Sequence, residues 1–252
     1  MTAAHLSAVG EADRLASLTL MVTVLDQGRA GVAAAVDEFT AKLAIALSPR
    51  EGDLDGRALA EVFAWLRPTD LVWRYWVNNY LRGRPPAPFD VLFWNADTTR
   101  MPAALHRDMV VMGMHNALTE PGAASMLGTP VDLSAVTTDT YVGAGFADRI
   151  SPWQACYHSA RLLGSKDLRF VLSSSGHIAA LVNPVGNPKA SYRVGTVDER
   201  DPQRWSESAE PHSDSWWPHY SAWLGERGGK QKAAPAVLGG GKLSALEPAP
   251  GT

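Results

Sequence analysis

The sequence predicts an α/β fold built on a mostly parallel sheet, and three observations lead there. Between Thr140 and Pro184 the chain reads as a short apolar run (Thr140 to Val142), a Gly-rich turn presenting Asp148, a helix, a second apolar run (Leu168 to Leu172) and a turn presenting His177. Leu15 to Leu25, LASLTLMVTVL, is a further β-rich apolar run of the kind buried on both faces; strands of that type pair in parallel sheets. Helical spacing then interrupts the strand rhythm, with Val32, Val36, Phe39, Leu43 and Leu47 recurring at intervals of three and four.

Taken in order, Met1 to Arg14 is alanine-rich and reads as the tail of a helix, and the run from Leu15 stops at Asp26. The helix marked by Val32 to Leu47 ends at Ser48-Pro49. Asp55 N-caps another, carrying Leu59, Val62, Phe63 and Leu66 up to Pro68, and Thr69 caps TDLVWRYWVNNYL, which Gly83 and Pro85-Pro86 terminate. Phe89 to Trp94 is an aromatic run leading into a polar turn. Asp97 in that turn is a candidate substrate-contacting carboxylate, although Asx residues in such turns mostly bond their own backbone. Met109, Met112 and Met114 fall on a helix after Pro102 and read as soft gap-fillers. Ser151 as N-cap and Pro152 at the first helical position open a helix with Trp153, Cys156, Tyr157 and Ala160 on one face. From His177 to Arg204 the chain reads as loop, with Asp201-Pro202 starting a short helix. Trp216, Trp217, Tyr220 and Trp223 form an aromatic patch on a last helix stopped by Gly228-Gly229. The Gly-, Ala- and Pro-rich residues 230–252 hold too little apolar material for a core and are expected to be extended or disordered.

Composition bounds the function. The 252 residues are 46% hydrophobic and 19% charged, ordinary for a globular protein. A net charge of −3 gives no support for a nucleic-acid binder. The single cysteine excludes an internal disulfide and both common zinc patterns, and His5, His106, His115, His158, His212 and His219 lack metal-ligand spacing. No apolar run approaches the ~20 residues of a membrane span, and the N-terminus lacks a basic region followed by an apolar one, so the chain is expected to be cytoplasmic.

Asp148 and His177 are the candidate catalytic residues. Histidine takes and returns a proton near neutrality, and a carboxylate beside it fixes the imidazole tautomer. Both residues follow strand-like runs, where catalytic side chains of α/β folds collect. Cys156 is a candidate nucleophile by type, but its mid-helix setting among Trp153 and Ala160 reads as a small buried apolar residue.

Four stretches carry a family resemblance: Phe63 to Pro102, Ala147 to Trp153 (ADRISPW), Ser173 to Pro184 (SSSGHIAALVNP) and Ser215 to Leu224 (SWWPHYSAWL). From about Leu18 to its end the chain resembles the C-terminal half of a class I-like polyhydroxyalkanoate synthase. The resemblance implies the C-terminal half of an α/β-hydrolase fold with a helical cap insertion. Residues 1–27 and 117–229 would form the partial core, 28–116 the cap, and 230–252 the tail. It also implies acyl transfer of (R)-3-hydroxyacyl groups from coenzyme A thioesters to a growing polyester, with Asp148 as acid, His177 as base and no separate cofactor. The implied partners are the (R)-3-hydroxyacyl-coenzyme A and the polyester chain, at the polymer-granule surface; self-association and pairing with an N-terminal half stay open. The family's nucleophile is a cysteine in a Gly-x-Cys-x-Gly-Gly elbow, which this sequence does not contain, so the chain is expected to begin just after it and to be inactive alone. Arg149 stands where the family usually has histidine. Two other readings stay open: a polyester depolymerase of the same fold, and a non-catalytic fragment that binds full-length synthase or polymer granules.

Overall fold

The computed structural model describes residues 1–30, 52–54, 56, 68–86 and 99–236. Among these residues five strands form one sheet in the order in which they occur: β1 (Leu18–Met21), β2 (Thr140–Gly145), β3 (Leu168–Ser173), β4 (Ser191–Thr196) and β5 (Glu210–Ser213). β1, β2 and β3 run parallel, whereas β4 and β5 return antiparallel. Among the described residues six α-helices accompany them: α1 (Thr2–Ala8), α2 (Ala103–Met114), α3 (Trp153–Ala160), α4 (His177–Leu181), α5 (Pro202–Ser208) and α6 (Trp217–Arg227).

The alternation of β2 and β3 divides the core in two. Val142 and Ala144 with Leu168, Phe170 and Leu172 face α3 and α5, where Trp153, Cys156, Tyr157, Ala160 and Trp205 complete one cluster. Tyr141 and Val171 point the other way, joining Tyr192, Val194, Trp216 and Trp223 beneath α6. A strand flanked on both faces reads as an unbroken apolar run, and every residue of Thr140–Gly145 is buried. Trp205 anchors the first cluster. Its ring meets Phe170 edge-on at 4.9 Å, and its indole N–H donates to the Thr196 carbonyl at 2.8 Å. Gly195 leaves room for it, since a Cβ there would lie 3.1 Å from Trp205 Nε1.

At the amino ends of the central strands, Arg227 of α6 pairs with Asp139 (2.9 Å) and Asp167, the residues just before β2 and β3. Its guanidinium also lies 4.2 Å over the Trp223 ring. The segment after β1 is pinned both to α3 and to Asn116. The Leu25 and Asp26 N–H groups donate to Ser159 Oγ of α3 (2.8 and 3.3 Å). The Gln27 N–H donates to Asn116 Oδ1 at 2.7 Å, and Asn116 Nδ2 donates to Asp26 Oδ1 at 2.8 Å.

Between residues 28 and 116, the described residues hold π-helical turns over Thr69–Trp73 and Trp76–Leu81, the helix α2, and a two-residue ribbon pairing Asp53–Leu54 with Met101–Pro102. Gly83, at φ +59°, and the irregular residues after it end the π-helical segment. The helices expected over Val32 to Leu47 and Asp55 to Leu66, the run Phe89 to Trp94, Asp97 and residues 237–252 lie outside the described residues.

Several expectations need correction. The first strand covers only Leu18–Met21 and is half-buried rather than buried on both faces, because among the described residues it bonds to β2 on one side only. Val22, at φ +44°, turns the chain out of it. The stretch from His177 to Arg204 contains the short helix α4 and the strand β4 instead of a loop, and β5 follows beyond it. In Ser191–Thr196 only Tyr192 and Val194 are buried, too short an alternation to stand out among prolines. Glu210–Ser213 carries Pro211 on the edge strand, where a missing N–H is tolerated. Met109 is 49% exposed and fills no gap.

Replacing a buried Trp by Ala costs about 3–5 kcal/mol. Trp205→Ala is therefore expected to lower the urea-unfolding free energy by that amount without changing the far-UV spectrum of the folded state. A loss under about 1 kcal/mol would contradict the central place of Trp205 in the core.

Candidate active site

The carboxyl ends of β2 and β3 stop at the same level, Gly145 opposite Ser173. The loops that follow are stitched together: the Phe146 N–H donates to the Ser173 carbonyl at 2.7 Å and the Ala147 N–H to the Ser175 carbonyl at 3.1 Å. Only glycine fits this close approach. A Cβ on Gly145 would stand 2.7 Å from the Ser175 carbonyl oxygen and 3.0 Å from Ala180 Cβ.

Asp148 emerges from the first loop with its side chain fully buried. Oδ1 accepts from the Ile150 and Ser151 N–H groups at 2.8 and 3.0 Å. Oδ2 lies 2.7 Å from His177 Nδ1. The carboxylate is thus satisfied by two backbone donors and the imidazole, which is how a buried charge is held. The same arrangement corrects the expected helix start. α3 begins at Trp153 with Pro152 in the capping position and no side-chain cap, because the Ser151 N–H turns back to Asp148.

His177 is the first residue of α4, not a loop residue, and its side chain is 28% exposed. Trp216 and Trp217 fix this short helix from outside. Their indole N–H groups donate to the Ala180 and Leu181 carbonyls at 2.7 and 2.9 Å, closing orphan carbonyls at a helix end. Ser215 Oγ donates to the Asn183 carbonyl at 2.7 Å just beyond. The aromatic patch was visible in the sequence, but its service to His177 was not, since it joins residues more than thirty positions apart.

Asp148 and His177 border a recess of about 610 Å³ that Thr69, Ala147, Arg149, Ile150 and Gly176 also line. With Nδ1 engaged by the carboxylate, Nε2 is the ring nitrogen left to take a proton from a group in the recess. Thr69 comes from the π-helical segment, a contribution no local pattern announced. Arg149 forms no ion pair with a described carboxylate. Among the described residues no cluster of three or more His, Cys, Asp or Glu side chains converges on a metal position.

Cys156 is fully buried in the core cluster, as its surroundings in the sequence indicated. Its thiol donates to the Ser151 carbonyl at 3.8 Å. Burial, with the Asp148 carboxylate adding to it, pushes the thiol from its ordinary 9.0 up to about 12. A thiol so held is a poor nucleophile near neutrality, because the thiolate is the reactive form.

A family model described as the alpha/beta hydrolase fold matches residues 1–184. The chain is 51% identical over 249 residues to poly(3-hydroxyalkanoate) polymerase 1 of Ectopseudomonas oleovorans, covering 98% of this chain and 44% of the relative. It is 41% identical over 248 residues to poly(3-hydroxyalkanoate) polymerase subunit PhaC of Cupriavidus necator, covering 94% of this chain and 41% of the relative. It is 37% identical over 255 residues to poly(3-hydroxyalkanoate) polymerase of Methylorubrum extorquens, covering 100% of this chain and 42% of the relative. The chain thus spans about two fifths of the length of these curated relatives.

Two consequences follow for Cys156. Iodoacetamide should alkylate it about two to three orders of magnitude more slowly in the folded chain than in urea. Its raised value also makes the folded state hold a proton that the unfolded state releases, so stability is fully present below pH 9.0 and is lost as pH rises toward about 12. Cys156→Ala should flatten that alkaline loss in pH-dependent unfolding; equal slopes with and without the thiol would refute the burial argument.

Proposed function

We infer that this chain, which belongs to the α/β hydrolase fold family, supplies the base and its orienting acid to a hydroxyacyl transferase that extends a polyester from coenzyme A thioesters. The observation that carries this reading is the 2.7 Å contact of His177 Nδ1 with Asp148 Oδ2 at the carboxyl ends of adjacent parallel strands. The similarity to polymerases of poly(3-hydroxyalkanoate) supplies the substrate class.

In the proposed reaction a thiolate attacks the thioester carbonyl, the C–S bond to coenzyme A breaks, and coenzyme A leaves with the proton that His177 took from the attacking thiol. The hydroxyl of a hydroxyacyl group then gives its proton to His177 Nε2 while its oxygen attacks the enzyme-bound thioester. An ester bond forms, the enzyme C–S bond breaks, and the proton returns to the thiolate. Asp148 keeps the Nδ1–H tautomer through both steps and stabilises the imidazolium between them. No separate cofactor enters these steps. The attacking thiol is not Cys156, and the sequence has no other cysteine and no Gly-x-Cys-x-Gly or Gly-x-Ser-x-Gly turn.

Residues 28–116 are proposed as the cap over this site. Thr69 on the recess wall and the side-chain bonds that join Asp26 and Gln27 to Asn116 support that assignment. A cytoplasmic location at the polymer surface belongs to the same proposal; among the described residues no helix is long and apolar enough to cross a membrane.

A chimera tests the reading. Let this chain replace the segment that it matches in polymerase 1 of E. oleovorans, and supply (R)-3-hydroxyacyl-coenzyme A. The chimera is expected to release coenzyme A and accumulate polyester, and His177→Ala within it to lower the rate at least about 10³-fold. The 252-residue chain alone should release coenzyme A no faster than its own His177→Ala variant. A folded chimera that makes no polymer, or one indifferent to His177→Ala, would overturn the proposal.

A further inference from the structure

We propose that a cleft beside the recess binds a neutral oligoester, holding the hydroxyacyl chain that the Asp148–His177 site extends; this rests on the reading given above. The cleft, about 410 Å³, is formed by the loop after β2, the end of β3, strands β4 and β5, and α5. Phe146, Leu172, Ser174, Arg193, Gln203 and Ser206 carry the argument among its walls.

The cleft and the recess are bounded by the same two loops. Phe146 lines the cleft where Ala147 lines the recess, and Ser174 lines the cleft where Gly176 lines the recess. Phe146 stands at this junction 59% exposed, with its ring stacked 6.5 Å from Trp153. Phe146 thus offers an apolar face to an occupant of the cleft. In the proposal, a chain leaving the recess passes that ring on its way to the cleft.

The lining defines the chemistry of the occupant. Leu172 and Phe146 give apolar contact. Ser206 is 8% exposed and its hydroxyl has no hydrogen-bond partner among the described residues, and Gln203 lies one turn before it on α5. Arg193 spends Nη1 on the Ala209 carbonyl at 3.2 Å and keeps other N–H groups. Glu207 and His212 line the wall together with Arg193, so the cleft does not present charge of a single sign. A neutral chain that offers carbonyl acceptors at short intervals, with short alkyl branches between them, matches apolar walls set with a few donors.

The test titrates the isotopically labelled 252-residue chain with the methyl ester of the linear (R)-3-hydroxybutyrate trimer and follows backbone amide shifts. Saturable shifts at Phe146, Ser174, Gln203 and Ser206 are expected, with free coenzyme A leaving them unmoved. Phe146→Ala and Gln203→Ala, both at exposed positions, should each weaken binding about tenfold. Ser206→Phe should fill the cleft and abolish binding; if that variant does not fold, the two exposed-site variants decide. Absence of saturation, shifts confined to the recess, or unchanged affinity in both variants overturns the proposal. A chimera that polymerises while the trimer leaves the cleft untouched overturns the cleft alone. Cleft binding together with a folded, inactive chimera supports the cleft and overturns acyl transfer.

Discussion

The site depends on the parallel register of β2 and β3. Pairing Thr140 with Leu168 and each residue onward in step brings Gly145 level with Ser173, so two loops far apart in sequence begin side by side. Backbone bonds from Phe146 and Ala147 then lock one loop to the other. Arg227 sets the opposite ends, pairing with both Asp139 and Asp167. Slipping a strand by one residue exchanges its faces. Here that would turn Phe170 away from Trp205 and draw His177 out of reach of Asp148.

Around that register the structure spends its polar groups on orientation. Every oxygen of Asp148 has a donor, which fixes the orientation of a carboxylate held away from water. The helix that bears His177 has only five residues, too short to hold its own direction. Two indole N–H groups at its far end supply what it lacks. The Trp-rich segment is thus connected to function through positioning, while Tyr141, Tyr220 and Trp223 beneath it fill the core. Cys156 shows the reverse case, a reactive residue type made inert by its place under the sheet.

What the sequence revealed follows the range of the physics. Asp148 and His177 were legible because each follows a local apolar run and a Gly-bearing turn. The helix at Asp201-Pro202 was legible from its capping aspartate and the proline after it, and the Asp201 side chain does accept from the Gln203 N–H at 2.9 Å. The strands β4 and β5 were not, since their pairing comes from β3 and not from their own composition. Thr69 and Phe146 had no signal at all; their positions on the recess and the cleft arise from tertiary packing. The extent of Leu18–Met21 was overestimated because apolarity marks what a strand needs to bury, not how many neighbours it finds.

The central claim is that Asp148 holds His177 in the tautomer whose Nε2 can take a proton. Nitrogen-15 NMR of the imidazole in the labelled chain, recorded at the alkaline end of a pH series where its shifts no longer change, reads this directly. The account predicts a ring protonated at Nδ1 with a bare Nε2, converting toward the Nε2–H form in Asp148→Ala. An Nε2–H ring in the unmodified chain, or a tautomer indifferent to Asp148→Ala, would contradict it.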